Sequence, residues 1–141
     1  MLKLRESHVE FIKSHGAEGY PHEVCGIFLG TGNGDDREVV EIKRAGNLNL
    51  DRAHDRYEMD PQDMIKAEKE GRDKGLDIVG FYHSHPDHPD APSEFDRERA
   101  WPYYSYLIVS VKKGKEFAMR SWLLNEESEV FEEEKIALSG D

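Results

Sequence analysis

Apolar positions along the chain change their period several times, and each change marks an element. Ser7-His8-Val9-Glu10 has the form of a capping box, with Ser7 placed to accept from the amide three residues on and Val9, Phe11 and Ile12 supplying apolar contacts, so a first helix is predicted from about Ser7 toward His15. Gly16 and Gly19 then loosen the chain before Cys25 to Leu29, an apolar run suited to a buried strand. The tract TGNGDD is a turn signal and EVVEIKRA reads as a second strand, which predicts a hairpin over residues 25 to 45, followed by an irregular polar loop over 46 to 56. Asp60-Pro61 pairs a capping acid with proline at the first helical position and opens a second helix to Lys74, with Gly75 as terminator. DIVGFYHSH reads as a strand bounded by Pro86, and Ser93 to Trp101 as a third helix. SYLIVSVKKG and FAMRSWLL predict another hairpin, turned at Lys113-Gly114-Lys115, while EVFEEEKIAL fits strand or helix equally. The alternation predicts an α/β fold.

Length and charge narrow the picture. The chain has 141 residues, enough for one domain over 1–141 that buries roughly two-thirds of the surface its unfolded form exposes. Lys and Arg number 19 against 30 Asp and Glu, a formal net charge of −11, so the average surface repels nucleic-acid phosphates and anionic membranes. Cys25 is the single cysteine, which rules out an internal disulfide; with no basic-then-apolar leader at Met1 to Arg5, the cytoplasm is the expected compartment. No apolar run approaches the roughly 18 residues of a membrane span.

Residues 80 to 96, GFYHSHPDHPDAPSEFD, carry the candidate chemistry. Side chains alternate faces along a strand, so His83 and His85 project from one side while Tyr82 and Ser84 face the other. Two imidazoles can then share one metal ion, and Asp96, returned by the proline-containing loop, can add a carboxylate oxygen as third ligand. Zinc with three protein ligands keeps its fourth position for water, the arrangement of a catalytic site. A plainer explanation exists for each piece: paired histidines often lie on surfaces, and SEFD is an ordinary capping box. The joint order, HSHP and then Ser and Asp three apart, is harder to ascribe to capping alone.

That order, HSHP, six residues, then SEFD, resembles the signature of the JAMM, or MPN-plus, metallopeptidases without a departure. PHEVCGIFLG resembles the upstream segment that carries the family's glutamate, with Glu23 in the matching position, and the resemblance runs from about the first helix to SYLIVSV, through YEMDP. It implies a single compact JAMM/MPN-like domain, a mixed and mostly antiparallel sheet flanked by helices. It implies that His83, His85 and Asp96 bind Zn2+, that Glu23 takes a proton from the attacking water, and that Ser93 helps hold the developing oxyanion. The implied reaction is cleavage after the C-terminal Gly-Gly of a ubiquitin-like or sulfur-carrier protein, by a small stand-alone member without long insertions. A non-catalytic MPN-type module that binds such a partner is the alternative, and a structural zinc site is a third.

Other residues compete less well. His22-Glu23 begins like a helical zinc motif, but no second histidine follows at the required spacing. Asp87, His88 and Asp90 read as a solvated loop, and Cys25 as a small buried residue opening a strand. His8, His15 and His54 lack partners at diagnostic spacing, and Glu132 to Glu134 read as a solvated face.

Overall fold

A computed structural model describes residues 1–33 and 35–140, and shows one eight-stranded mixed sheet with three helices. The strands are β1 (Leu2–Arg5), β2 (Cys25–Asn33), β3 (Asp36–Ala45), β4 (Asp77–Pro86), β5 (Ser105–Lys112), β6 (Glu116–Leu124), β7 (Phe131–Glu134) and β8 (Ile136–Ser139); the helices are α1 (Glu6–Gly19), α2 (Pro61–Asp73) and α3 (Glu94–Arg99). Their order in the sheet is β7-β6-β5-β4-β2-β3-β1-β8. Because β7 and β8 lie at opposite ends of that order yet are joined by Lys135 alone, the sheet must curl until its two ends meet. Lys135 O accepts from Leu2 N–H at 2.8 Å, tying β1 into the junction.

The β2–β3, β2–β4, β5–β6 and β6–β7 pairs are antiparallel, whereas β1–β3, β1–β8 and β4–β5 are parallel. The sheet is therefore mixed, with four antiparallel and three parallel strand pairs among the described residues. The parallel β4–β5 pair requires a crossover, and α3 lies within it. Gly34, inside the expected TGNGDD turn, lies outside the described residues.

The central strands are buried on both faces, one under each long helix. Phe28, Tyr82, Leu107, Val109 and Val111 pack with Ile12 of α1, while Ile27, Leu29, Phe81 and Tyr106 pack with Ala67 of α2. Burial on two sides makes β2 and β4 read as continuous apolar runs. Gly26 exists for this packing: a Cβ there would fall 2.0 Å from Cε1 of the Tyr82 ring, which stacks on Phe28 with centroids 5.6 Å apart. Gly26→Ala is expected to destabilise the fold by about 2–4 kcal/mol, read from a urea unfolding midpoint.

Several expectations need correction. Ser7 does not cap α1; Arg5 N–H donates to His8 Nδ1 at 3.1 Å, and the helix runs four residues beyond His15 to Gly19. Gly16 is a packing residue inside it, since a Cβ would lie 2.9 Å from Val111 Cγ2. The C-terminal EVFEEEKIAL is strand, split into β7 and β8, and within its acidic run Glu134 is buried, accepting from Ser121 O–H at 2.6 Å. His8 and His15 do pack: His8 Nε2 lies 3.3 Å from Val40 O and His15 Nδ1 2.7 Å from Tyr82 Oη.

Burial, reinforced by Arg44, pushes the His15 pKa down to about 4, with Glu18 opposing. The folded value lies below the unfolded one, so between about pH 6.5 and 4 the unfolded chain binds more protons, and this stabilisation is complete above about 6.5 and lost as pH falls through 4. The stability advantage of wild type over His15→Gln is expected to shrink by about 2 kcal/mol across that window in denaturant titrations, after allowing for partial exposure.

Candidate metal centre

The C-terminal end of β4 carries the two histidines. His83 and His85 follow Phe81 on the α2 side of the sheet, while Tyr82 and Ser84 point to the α1 side, as the strand period requires. Both imidazoles are buried. Their Nε2 atoms stand 3.1 Å apart, with Asp96 Oδ1 3.2 Å from His83 Nε2 and Asp96 Oδ2 3.0 Å from His85 Nε2. Bonds of about 2.0–2.1 Å to a tetrahedral zinc place neighbouring ligand atoms roughly 3.3 Å apart. Each contact thus has nearly the length of one edge of such a polyhedron, with Asp96 turning a different oxygen to each imidazole.

The surroundings set the tautomer of His85. His85 Nδ1 lies 2.8 Å from Pro89 O, where it donates, so its Nε2 carries the lone pair. Pro89 is held because the loop after β4 is pinned rather than merely solvated. Asp87 accepts from Lys113 N–H at 2.8 Å and Tyr20 O–H at 2.5 Å, His88 O accepts from Ser110 O–H at 2.6 Å, and Asp90 Oδ1 accepts from Arg120 Nε at 3.0 Å. Asp96 sits in the first turn of α3 through reciprocal bonds: Ser93 Oγ accepts from Asp96 N–H at 3.1 Å and Ser93 N–H donates to Asp96 Oδ2 at 2.9 Å. Ser93 therefore caps the helix and keeps its own O–H proton free to donate.

Glu23 arrives from the loop before β2. Cys25 pairs with His83, and the register continued by two residues brings Glu23 opposite His85. Ser84 secures this extension, its Oγ accepting from Val24 N–H at 2.9 Å and its N–H donating to Val24 O at 3.0 Å. Glu23, His83 and His85 offer ligand atoms within 4.8 Å of one another, a group able to hold a metal ion. Glu23 is 4% exposed, and its Oε1 and His83 Nδ1 make no hydrogen bond among the described residues. An unpaired buried carboxylate oxygen costs free energy and points to a partner of another kind.

The charges follow from burial and proximity. Burial pushes the Glu23 pKa up to about 8, with His85 opposing, and lowers that of His83. Burial works against the charged forms of both His85 and Asp96, but the Asp96 contact outweighs it at His85, raising that imidazole, and contacts with His83 and then His85 outweigh it at Asp96, holding the carboxyl well below the usual carboxylate range. A bound divalent cation becomes the largest local charge and favours the ionised carboxylates.

Two neighbours had no role assigned from the sequence, although Tyr57 opens the YEMDP stretch of the resemblance. The Tyr57 ring stacks on His83 with centroids 4.5 Å apart. Asn47 joins the parts: its Nδ2 donates to both Glu23 O and Arg56 O at 3.1 Å, and its Oδ1 accepts from Asn49 and Glu58 N–H at 2.9 Å. The loop over 46 to 56 is thus tied to Glu23 twice, through the Asn47 amide and through Ala53 O, which accepts from Glu23 N–H at 2.5 Å. Cys25 is fully buried with its thiol pKa pushed up to about 12 by burial, which suits packing and not nucleophilic attack. His22 and His54 are exposed and stand apart from the cluster.

Prokaryotic homologs of the JAB domain match residues 5–125, a span that contains every residue of this centre. The chain belongs to that family. A desampylase of Haloferax volcanii is 40% identical over 114 residues, covering 77% of this chain and 80% of the relative. A probable TtuB-protein conjugate cleaving protease of Thermus thermophilus is 30% identical over 130 residues, covering 92% and 80%. Among solved structures, a Desulfitobacterium hafniense protein superposes with a TM-score of 0.87 at 32% identity, covering 100% of this chain and 94% of that one. A JAB1/MPN domain protein from Archaeoglobus fulgidus superposes with a TM-score of 0.60 at 16% identity over 99% and 97%, a likeness of fold. The JAB sheet places the ends of β2 and β4 side by side, which is why residues 60 apart in sequence meet here. Among the described residues no helix is long and apolar enough to cross a membrane.

Proposed function

We propose that this JAB-family chain, as a single catalytic domain over 1–141 working in the cytoplasm, is a zinc-dependent peptidase or isopeptidase that cuts after the C-terminal Gly-Gly of a ubiquitin-like or sulfur-carrier protein. The observation that carries this reading is the cluster of His83 Nε2, His85 Nε2 and the two Asp96 carboxylate oxygens, in contact at 3.0–3.2 Å, with the unpartnered carboxylate oxygen of Glu23 beside it. The relatives named as a desampylase and a conjugate cleaving protease support the substrate class.

His83, His85 and Asp96 would hold the metal. A zinc ion there supplies a Lewis acid and brings the pKa of a coordinated water down toward about 7. Glu23 forms no ion pair with either imidazole although it lies within 4.8 Å of both, a spacing that admits one water-sized oxygen. In this position its carboxylate takes the proton of the attacking water and later delivers it to the leaving amine, general base and then general acid. The free O–H of Ser93 donates to the carbonyl oxygen as negative charge gathers on it. His85 is held to one tautomer by Pro89 O, and Ser84 and Asn47 hold the Glu23 backbone at its height above β4.

A non-catalytic module would have no use for a buried, unpartnered Glu23. Incubating zinc-loaded protein with a carrier extended beyond its Gly-Gly, and weighing the products by mass spectrometry, should show a cut after the second glycine that a zinc chelator abolishes. An intact carrier in both samples would contradict the proposal.

A further inference from the structure

Nine arginines stand in the chain, and the structure engages nearly all of them. Near the centre, Asp55 takes both Nε and a terminal nitrogen of Arg52, Glu94 does the same for Arg97, and Glu58 lies 3.8 Å from Arg99. Farther away, Arg37 donates to Tyr103 O and Ser105 Oγ, and Arg44, Arg72 and Arg120 meet Glu18, Glu68 and Asp90. Only Arg5, exposed at the start of α1, and Arg56 lack a side-chain partner of this kind among the described residues.

Arg56 is not loosely placed. Its carbonyl and that of Glu23 accept from the same Asn47 amide, so the two residues are braced against one another. Its guanidinium lies over the Phe95 ring, 4.7 Å from the centroid, and Phe95 stands between Glu94 and Asp96. A guanidinium stacked on a ring face keeps its in-plane N–H donors available, in the fork that fits a carboxylate. Glu23, Arg56, His85, Ser93 and Phe95 line one cleft, whereas Tyr57, Asp96 and Trp101 face another on the far side of Phe95. Asp55 in the same cleft feels the Arg56 charge, but it is already held by Arg52, so the Arg56 fork is left for a ligand.

Resting on the proposed reaction, we infer that Arg56 is a specificity-determining residue that reads a carboxylate on the leaving-group side of the scissile bond. The reasoning is positional. Glu23 protonates the departing amine, so the departing segment lies in the Glu23 cleft, where Arg56 presents its fork. Substrates are then favoured whose leaving amine carries a nearby carboxylate. That carboxylate has two possible sources: the free C-terminus of a very short extension after Gly-Gly, or an acidic side chain beside an isopeptide-linked lysine.

The test compares matched substrates on zinc-loaded protein. One pair is a carrier ending in Gly-Gly plus one neutral residue, with a free carboxylate or an amide cap; the other is an isopeptide-linked lysine peptide, amide-capped, with or without a neighbouring aspartate. Wild type should prefer the carboxylate member of at least one pair by about tenfold in kcat/KM, mainly through KM, and the pair that responds identifies the source. Arg56→Gln should bring that ratio near one, and Arg56→Glu should invert it. Glu23→Gln protein, which binds without cutting, should show the same preference in calorimetric affinity.

Equal rates for wild type on both members of both pairs overturn the inference and leave the proposed reaction standing. A wild-type ratio retained in Arg56→Gln also overturns it. No cleavage of any substrate overturns the proposed reaction and this inference with it. The wild-type comparison involves no substitution and holds whatever the variants do to folding.

Discussion

Glutamine in place of Glu23 leaves zinc content at the wild-type level and lowers cleavage of a Gly-Gly-extended carrier by about 10²–10⁴-fold. The amide has the carboxylate's shape, so the backbone bonds that place residue 23, Asn47 Nδ2 to Glu23 O and Val24 N–H to Ser84 Oγ, are untouched. What disappears is the capacity to accept a proton from water and return it to an amine. Elemental analysis of the purified variant, together with single-turnover cleavage followed by mass, separates the two effects. A variant that cuts as fast as wild type would remove Glu23 from the chemistry, and one that loses zinc would make it a ligand.

Alanine at His83 or His85 has the opposite signature: the metal goes first, and activity with it. About one zinc per chain is expected in wild type. Loss of either imidazole should weaken zinc by more than about 100-fold, since altering even an outer partner of a ligand costs 10–100-fold. His83 is the more demanding site for folding, because its ring lies 1% exposed under Tyr57 and its removal leaves a hole, whereas His85 borders the cleft. Zinc competition against a chromophoric chelator measures the affinities. Undiminished binding in both variants would refute the ligand set.

The site was legible where chemistry imposes short-range order. A two-residue period puts His83 and His85 on one face of any strand, and the reciprocal bonds of Ser93 and Asp96 follow from their three-residue spacing, so local geometry makes each pair and the pinned loop between them joins the two. Glu23 was different. Its residue type and spacing alone do not mark it; the resemblance of PHEVCGIFLG to the family's upstream segment does, and the β2–β4 register, an event between segments 60 residues apart, brings it opposite His85. The roles of Asn47 and Tyr57 escaped for a like reason, since the Asn47 bond to Glu23 O and the Tyr57 stack on His83 are tertiary. In the fold, Leu2-Lys3-Leu4-Arg5 does alternate apolar and polar, yet four residues at a chain end make a weak strand signal until β3 and β8 flank them in parallel. Gly16 read as a helix breaker because the sequence cannot show Val111 pressing on that turn of α1. The degree of parallel pairing was likewise hidden, since it depends on where crossovers return and not on any strand's own pattern.

The most direct measurement is anomalous diffraction from crystals of zinc-loaded protein, with data collected on both sides of the zinc absorption edge. A single peak about 2.0–2.2 Å from His83 Nε2, His85 Nε2 and an Asp96 carboxylate oxygen, with Glu23 outside bonding distance, is the predicted result. A peak elsewhere, or a protein that folds and cleaves its carrier with no zinc bound at those three residues, would contradict the account.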